Sequence, residues 1–207
     1  MILKHVFFDF DGVLVDSFDA VYTINRLAAQ HIGRQLTRSQ YREFFYGNIH
    51  SRISEVLGLS AAELELFTRC KYELHPVHYT QNEVAPYDGT LEFLKKIHRS
   101  VYCDILSSSP EKGIRCLLDA FGISGCIRHI YALNAEGKRG ILQGALSHSS
   151  NQVYFITDTI GDICQAERLP ITTIAVSWGF HDAQLLMSAR PDHVVSNFSE
   201  LLDVLLA

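Results

Sequence analysis

The chain has 207 residues, of which 47% are hydrophobic and 20% charged, and its formal net charge is −5. That length suits one large domain, or one domain with a smaller insertion, and the apolar share can fill a sizeable core. The slight acidity and the lack of a Lys/Arg block argue against a nucleic-acid partner, and no apolar run is long enough to span a bilayer. Five cysteines, Cys70, Cys103, Cys116, Cys126 and Cys164, are odd in number and show no CxxC spacing. They are expected as reduced thiols in buried packing, in a cytoplasmic protein whose first residues lead straight into a strand without a targeting segment.

Val6, Phe7 and Phe8 form a short apolar run, expected as a buried strand. Asp9, Asp11 and Gly12 follow. Side chains two apart on a strand point the same way, so both acids can reach one point at or just past its carboxyl end. Open α/β sheets hold ligands there. Crowded carboxylates repel unless a cation joins them or one takes a proton. A hard divalent ion such as Mg²⁺ suits such oxygen donors.

Apolar residues at helical spacing, from Phe18 to Ala28, predict a helix over 17–32. Further helices are expected over 37–46, capped by Thr37 or Ser39, and over 49–57, stopped by Gly58. The Ser60–Glu63 pair has capping-box form and opens a helix expected to stop before Pro76. No strand signal interrupts 17–85, and Pro86 with Asp88-Gly89 marks the return from this helical insertion. Strands are expected over 101–106, 129–133, 153–156, 171–176 and 193–195. Helices are expected over 90–98, 111–121, 138–148, 160–169, 185–189 and 198–206. The alternation predicts an α/β fold: a Rossmann-like parallel sheet with helices on both faces, plus an inserted all-helical unit. Trp178 is expected in the core, and most of the ten histidines as surface or packing residues.

Three later segments carry chemistry. Ser107 ends a strand before a turn and a helix start, where hydroxyl and backbone N–H groups make an anion site. Lys138 opens a helix, against the helix dipole, which suits a lysine paired with an anion. The strand at 153–156 runs into Thr157-Asp158, and Asp162 follows four residues on.

DFDGVLVDS, residues 9–17, resembles the first motif of the haloacid-dehalogenase (HAD) superfamily, in the DxDGxxxDS form of its small-molecule phosphatases. Ser107 resembles the second motif, with Ser108 where Asn is common, and Lys138 the third, with Arg139 where Pro is common. TDTIGD at 157–162 resembles the fourth, usually GDxxxD, with Thr157 in place of Gly. The tail, from Ala175 through Trp178-Gly179 to Ser199–Leu202, is similar to phosphoglycolate-phosphatase-like members. The resemblance covers nearly the whole chain and is weakest in the helical insertion.

The resemblance implies a core of residues 1–15 and 86–207 and a helical cap of 16–85, hinged near Asp16 and Ser17. It makes Asp9 the nucleophile and Asp11 the general acid/base, and the presence of Asp11 argues against dehalogenation. Mg²⁺ would be held by Asp9, the main-chain carbonyl of Asp11, and Asp158, with Asp162 nearby as ligand or as partner of Lys138. Ser107, Ser108, Lys138 and the backbone at Gly12 would hold the phosphoryl group. Gly47, Asn48 and Arg52 of the cap would set specificity, Arg52 by pairing with a substrate carboxylate. The expected activity is Mg-dependent hydrolysis of a small phosphate ester, phosphoglycolate-like, through an aspartyl-phosphate. The expected protein is a monomer or homodimer without nucleic-acid or membrane partners. A sugar-phosphate mutase, or a non-catalytic binding protein on the same scaffold, are the alternatives.

Overall fold

The first strand, β1 (Lys4–Phe8), is buried on both faces: Val6 and Phe8 enter one apolar cluster and Phe7 another. Two-sided burial is why it reads as an unbroken apolar run. The structure, a computed structural model, describes residues 4–132, 137–147 and 152–207. After a two-residue strand, β2 (Val15–Asp16), come four helices: α1 (Phe18–His31), α2 (Arg38–Glu43), α3 (Ile49–Leu57) and α4 (Ala61–His78). The chain returns through β3 (Ala85–Pro86), antiparallel to β2, with Val15 opposite Pro86 and Asp16 opposite Ala85. This ribbon brackets the stretch 17–85, expected to be helical, and overlaps it only at Ala85. A two-residue edge pair needs little strand propensity, and an edge tolerates a proline without an N–H.

Strands and helices then alternate: α5 (Thr90–Ile97), β4 (Tyr102–Ser107), α6 (Glu111–Ala120), β5 (Ile130–Ala132), α7 (Gly137–Ser147) and β6 (Gln152–Thr157). They continue with α8 (Ile160–Ala166), β7 (Thr172–Val176), α9 (Ala183–Ser188), β8 (His193–Val195) and α10 (Phe198–Leu206). The expected ends of β5 at Leu133 and of α7 at His148 lie outside the described residues. The six strands are parallel, in the order β5-β4-β1-β6-β7-β8. Strand order therefore reverses between β1 and β6, and the crevice beyond their carboxyl ends is where such sheets place ligands. Phe93, Leu94, Ile114 and Leu201 from α5, α6 and α10 share the Val6–Phe8 cluster. Leu142 and Ala166 from α7 and α8 share the Phe7 cluster.

The helical insert has its own cluster, built on Phe18, Tyr41, Phe44, Ile53 and Phe67, and Phe180 from the loop after β7 enters it. Thr37 and Ser60 each make a full capping box, and Gly58, at φ 64°, ends α3. Helix α4 does not stop before Pro76 but runs to His78. Pro76 forfeits one helical hydrogen bond, since it has no N–H to give the Tyr72 carbonyl, and the helix continues two residues past it. The end is also anchored: the Tyr79 N–H donates to the His75 carbonyl at 2.9 Å, and Tyr79 is buried.

Two smaller expectations also change. Cys116 and Cys164 are exposed, whereas the other three cysteines are buried. Trp178 is half-buried and donates its indole N–H to the Val13 carbonyl at 3.1 Å, which ties it to the loop after Asp11. Among the described residues no helix is long and apolar enough to cross a membrane.

Candidate active site

Asp9 lies one residue beyond β1, and its N–H continues the ladder to the Ile156 carbonyl at 2.8 Å. One carboxylate oxygen accepts from the Phe10 N–H at 2.7 Å, and the other accepts from Lys138 Nζ at 2.5 Å. Lys138 is 3% exposed and also donates to Asp162 Oδ2 at 2.5 Å. Thr157 Oγ1 donates to that same oxygen at 2.9 Å. Thr157, in place of a glycine, thus orients the acid that orients Lys138. Arg139 is engaged too: it donates to the Gln165 and Glu167 carbonyls, each at 2.9 Å, and so caps the end of α8.

Charge is unbalanced here. Burial raises Asp9 well above the usual carboxylate range; Lys138 opposes this, while Asp162 and Asp158 add to it. Burial also pushes the Lys138 ammonium down, but Asp162 and Asp9 more than reverse that, leaving it above its ordinary value. Asp158, just past β6 and fully buried, is pushed up to about 7 by burial, although it accepts from the Phe180 N–H at 2.7 Å. Its other oxygen, Oδ1, is buried with no hydrogen-bond partner. A buried polar atom left unpaired carries a desolvation cost. A Cβ on Gly12 or on Gly179 would overlap the Asp158 carboxylate, so only glycines let the backbone close around it. Gly12 has φ 77°, a left-handed conformation that glycine adopts freely.

An orphaned carboxylate oxygen, excess negative charge and an all-oxygen donor set fit a small hard cation. Asp9 and Asp158, which both line the cavity, are the available carboxylates. Among the described residues no cluster of three His, Cys, Asp or Glu side chains could hold a metal. Two carboxylate side chains would leave positions for water on such an ion, as Mg²⁺ prefers.

Asp11 has different company. Its Oδ1 accepts from Ser17 Oγ and Tyr79 Oη, each at 2.6 Å, and its Oδ2 from Ser109 Oγ at 2.6 Å. Ser17 precedes α1 without making a side-chain cap, since its hydroxyl is spent on Asp11. Ser107 is fully buried, and its hydroxyl accepts from the Ser109 N–H at 3.1 Å. The turn thus turns Ser108, not Ser107, toward the cavity.

That cavity, about 50 Å³, is lined by Asp9, Asp11, Ser108, Lys138 and Asp158, and closed by the 45–50 stretch of the helical insert. Gly47 and Asn48 are in its wall, and Asn48 Oδ1 caps α3 by accepting from the N–H groups of His50 and Ser51. Arg52 is not in the wall. It pairs with Glu55 at 2.6 Å and donates to the Glu43 carbonyl at 3.2 Å. The structure therefore brings together Asp9, Asp11, Gly47, Asn48, Ser108, Lys138, Asp158 and Asp162, holds Ser107 just beneath, and leaves Arg52 outside.

Sequence reasoning missed the hydroxyls on Asp11. Ser17 belongs to the first motif and Ser109 to the Ser-Ser-Ser-Pro turn, so both carried a signal, whereas Tyr79 carried none. It also missed Phe180 and His181. Phe180 gives its N–H to Asp158 while its ring meets Phe18 edge-on at 5.1 Å. His181, 1% exposed, accepts from the Ile160 N–H at 3.1 Å, and its Nε2 lies 3.2 Å from the Arg42 carbonyl.

The family description "Haloacid dehalogenase-like hydrolase" matches residues 6–176. A phosphoglycolate phosphatase of Synechococcus elongatus is 27% identical over 97% of this chain and 96% of its own length. The tyrosine-protein kinase PtkA of Mycobacterium tuberculosis is 24% identical over 87% of this chain and 64% of its own. The crystal structure of a predicted phosphatase from Clostridium acetobutylicum superposes with a TM-score of 0.86 at 18% identity, covering 100% of this chain and 99% of that one. The chain belongs to the haloacid dehalogenase-like hydrolase family.

Proposed function

We propose that the chain hydrolyses the phosphate monoester of a small metabolite, phosphoglycolate-like, in two phosphoryl-transfer steps. One observation carries this reading: two carboxylates two residues apart face one cavity in opposite surroundings. Asp9 is paired with an ammonium and Asp11 with three hydroxyls. That split suits a nucleophile and an acid/base.

Asp9 attacks phosphorus, and the bond from phosphorus to the ester oxygen breaks. Asp11 gives a proton to the leaving alcohol. Asp11 then takes a proton from water as that water attacks the aspartyl-phosphate, which frees phosphate and restores Asp9. Lys138 and the Ser108 hydroxyl hold the phosphoryl oxygens, where positioning and charge supply most of the catalysis, whereas the Gly12 N–H, expected to join them, is spent on the Val15 carbonyl at 2.9 Å. Asp9, Asp158 and the Asp11 carbonyl would hold Mg²⁺. Bound there, the ion offsets repulsion between the Asp9 carboxylate and the phosphate dianion.

Residues 1–15 and 86–207 act as the catalytic core in this reading, and 16–85 as a cap. The 45–50 stretch closes the cavity, so substrate enters when the helical insert swings away about the β2–β3 ribbon. The test is release of phosphate from p-nitrophenyl phosphate and a panel of metabolite phosphates, with Mg²⁺ and with chelator. Turnover should need Mg²⁺ and vanish in Asp9→Asn. Activity retained in that variant would sink the nucleophile assignment.

A further inference from the structure

A second cavity, about 100 Å³, adjoins the first between the helical insert and the sheet-bearing part of the chain. The two share the walls formed by Asp11, Phe45, Ile49, His50, Ser108 and Phe180. An ester whose phosphoryl group sits against Asp9 and whose bridging oxygen sits at Asp11 would project its alcohol portion into this space.

Three polar atoms there are unpaired. Asn25 Oδ1, Tyr41 Oη and His75 Nε2 all line the cavity, all are buried, and none has a hydrogen-bond partner. Asn25 and Tyr41 are 2% and 1% exposed. Buried polar groups are nearly always bonded, so three orphans on one cavity point to a missing occupant. Lys71 of α4 lines the same cavity, half-buried. Among the described residues it has no hydrogen bond or ion pair, and its contact is the Phe67 ring at 5.8 Å. Burial pushes its ammonium down to about 8. A cation in apolar surroundings is costly unless an anion joins it. Val21, Ile24 and Ile53 supply the apolar part of the wall.

Size limits the occupant. An apolar cavity of about 150 Å³ holds benzene, so this one takes about four or five heavy atoms. A two- or three-carbon acid fits, whereas a second phosphoryl group with its carbons does not. Arg52, the cation expected from the sequence to meet a carboxylate, is already paired with Glu55.

Resting on the phosphatase reading for the position of the phosphoryl group, we propose that this cavity is the leaving-group subsite and that Lys71 is the residue that selects an alcohol bearing a carboxylate. Tyr41 donates to the same carboxylate, and Asn25 Oδ1 and His75 Nε2 are placed to bond a hydroxyl or water beside it.

The test compares 2-phosphoglycolate with ethyl phosphate, which matches it in chain length but lacks the carboxylate, in wild type, Lys71→Gln and Lys71→Arg. Wild type should prefer 2-phosphoglycolate. Lys71→Gln should lose about 10- to 100-fold in kcat/KM on that ester, mainly through KM, and under about threefold on ethyl phosphate. Lys71→Arg, which keeps the charge, should recover part of the loss. Equal losses on both esters, or no preference in wild type, would overturn the assignment. Calorimetric binding of 2-phosphoglycolate to Asp9→Asn, with and without Lys71→Gln, separates the two readings. Binding that needs Lys71, in a protein whose wild type hydrolyses no ester, keeps the subsite and removes the phosphatase. Turnover indifferent to Lys71 removes the subsite and keeps the phosphatase, and absence of Lys71-dependent binding likewise overturns the subsite.

Discussion

Tyr79, the residue after α4, donates its hydroxyl to Asp11 at 2.6 Å, joining positions 68 apart in the chain. The end of the helical insert thus holds the carboxylate that the first motif supplies. Its ring lies 4.3 Å from that of His75, which in turn packs so closely on Gly113 of α6 that a Cβ there would come within 2.6 Å of His75 Cε1. Tyr79 is therefore fixed from both sides. We expect Tyr79→Phe to lower kcat by about tenfold, the worth of one hydrogen bond to a charged group. The ring's packing remains, so the melting temperature should move little. An unchanged kcat, measured on any turned-over ester, would show that Ser17 and Ser109 alone suffice to place Asp11.

Gly161 tests whether closure of the insert matters. It is the second residue of α8, and its N–H donates to the Phe45 carbonyl at 2.9 Å. A Cβ there would sit 2.6 Å from the carbonyl oxygens of both Phe45 and Gly47. In a helix, Gly→Ala ordinarily stabilises by about 1 kcal/mol. Here the neighbours are backbone and cannot yield, so the 45–50 loop must lift. Gly161→Ala should keep the fold, with little change in melting temperature, and lose at least about tenfold in kcat/KM because the site no longer closes on substrate. Wild-type kcat/KM in that variant would mean that closure contributes nothing.

How far the sequence reaches is clear from these residues. Asp9, Lys138 and Asp158 were legible because each sits at a strand or helix end, and such ends are marked by apolar runs and their breaks. The helices of the insert were legible for the same reason, down to the capping boxes at Thr37 and Ser60. Pro76 misled because the loss of one helical hydrogen bond does not end α4, whose last turn is held by the Tyr79 N–H bond to the His75 carbonyl. Arg52 misled because its partners, Glu43 and Glu55, occupy it locally. Tyr79, Lys71 and Phe180 were invisible because their roles arise where the insert meets the core, and no local pattern records a contact between distant segments.

Asp158 makes stability depend on pH in an unusual sense. Burial holds its carboxyl at about 7, against an ordinary 3.8. Between those values the folded chain binds the extra proton, so this group's contribution to stability falls as pH rises from about 4 to about 7. If Asp158 holds Mg²⁺ as proposed, it does so in its ionised form, so the ion should raise the melting temperature more at pH 7 than at pH 5. At tenfold excess over its Kd the ion adds about 1.4 kcal/mol, worth about 3–6 °C at about 2–4 °C per kcal/mol for a chain of this size. Asp158→Asn should abolish both the Mg²⁺ shift and this part of the pH dependence. Melts of the two proteins at pH 5 and 7, with and without Mg²⁺, check it; an undiminished Mg²⁺ shift in the variant places the ion elsewhere.

Lys71 offers a second pH signature, at the other end of the range. Its ammonium is pushed by burial to about 8, from an ordinary 10.5. Selection of a carboxylate by this charge should be complete below about pH 8 and fade above it. The useful quantity is the ratio of kcat/KM for 2-phosphoglycolate to that for ethyl phosphate, because ionisations of Asp9, Asp11 and the phosphate are common to both esters and cancel. In wild type the ratio should fall as pH rises from 7 to 9. In Lys71→Arg it should stay flat, since a guanidinium keeps its proton throughout. Stability moves the opposite way. Between about 8 and 10.5 the unfolded chain binds more protons at this lysine than the folded one, so wild type should gain stability relative to Lys71→Gln as pH rises across that window. A ratio in wild type that is flat with pH, together with a constant stability difference, would mean that Lys71 is an ordinary solvated lysine.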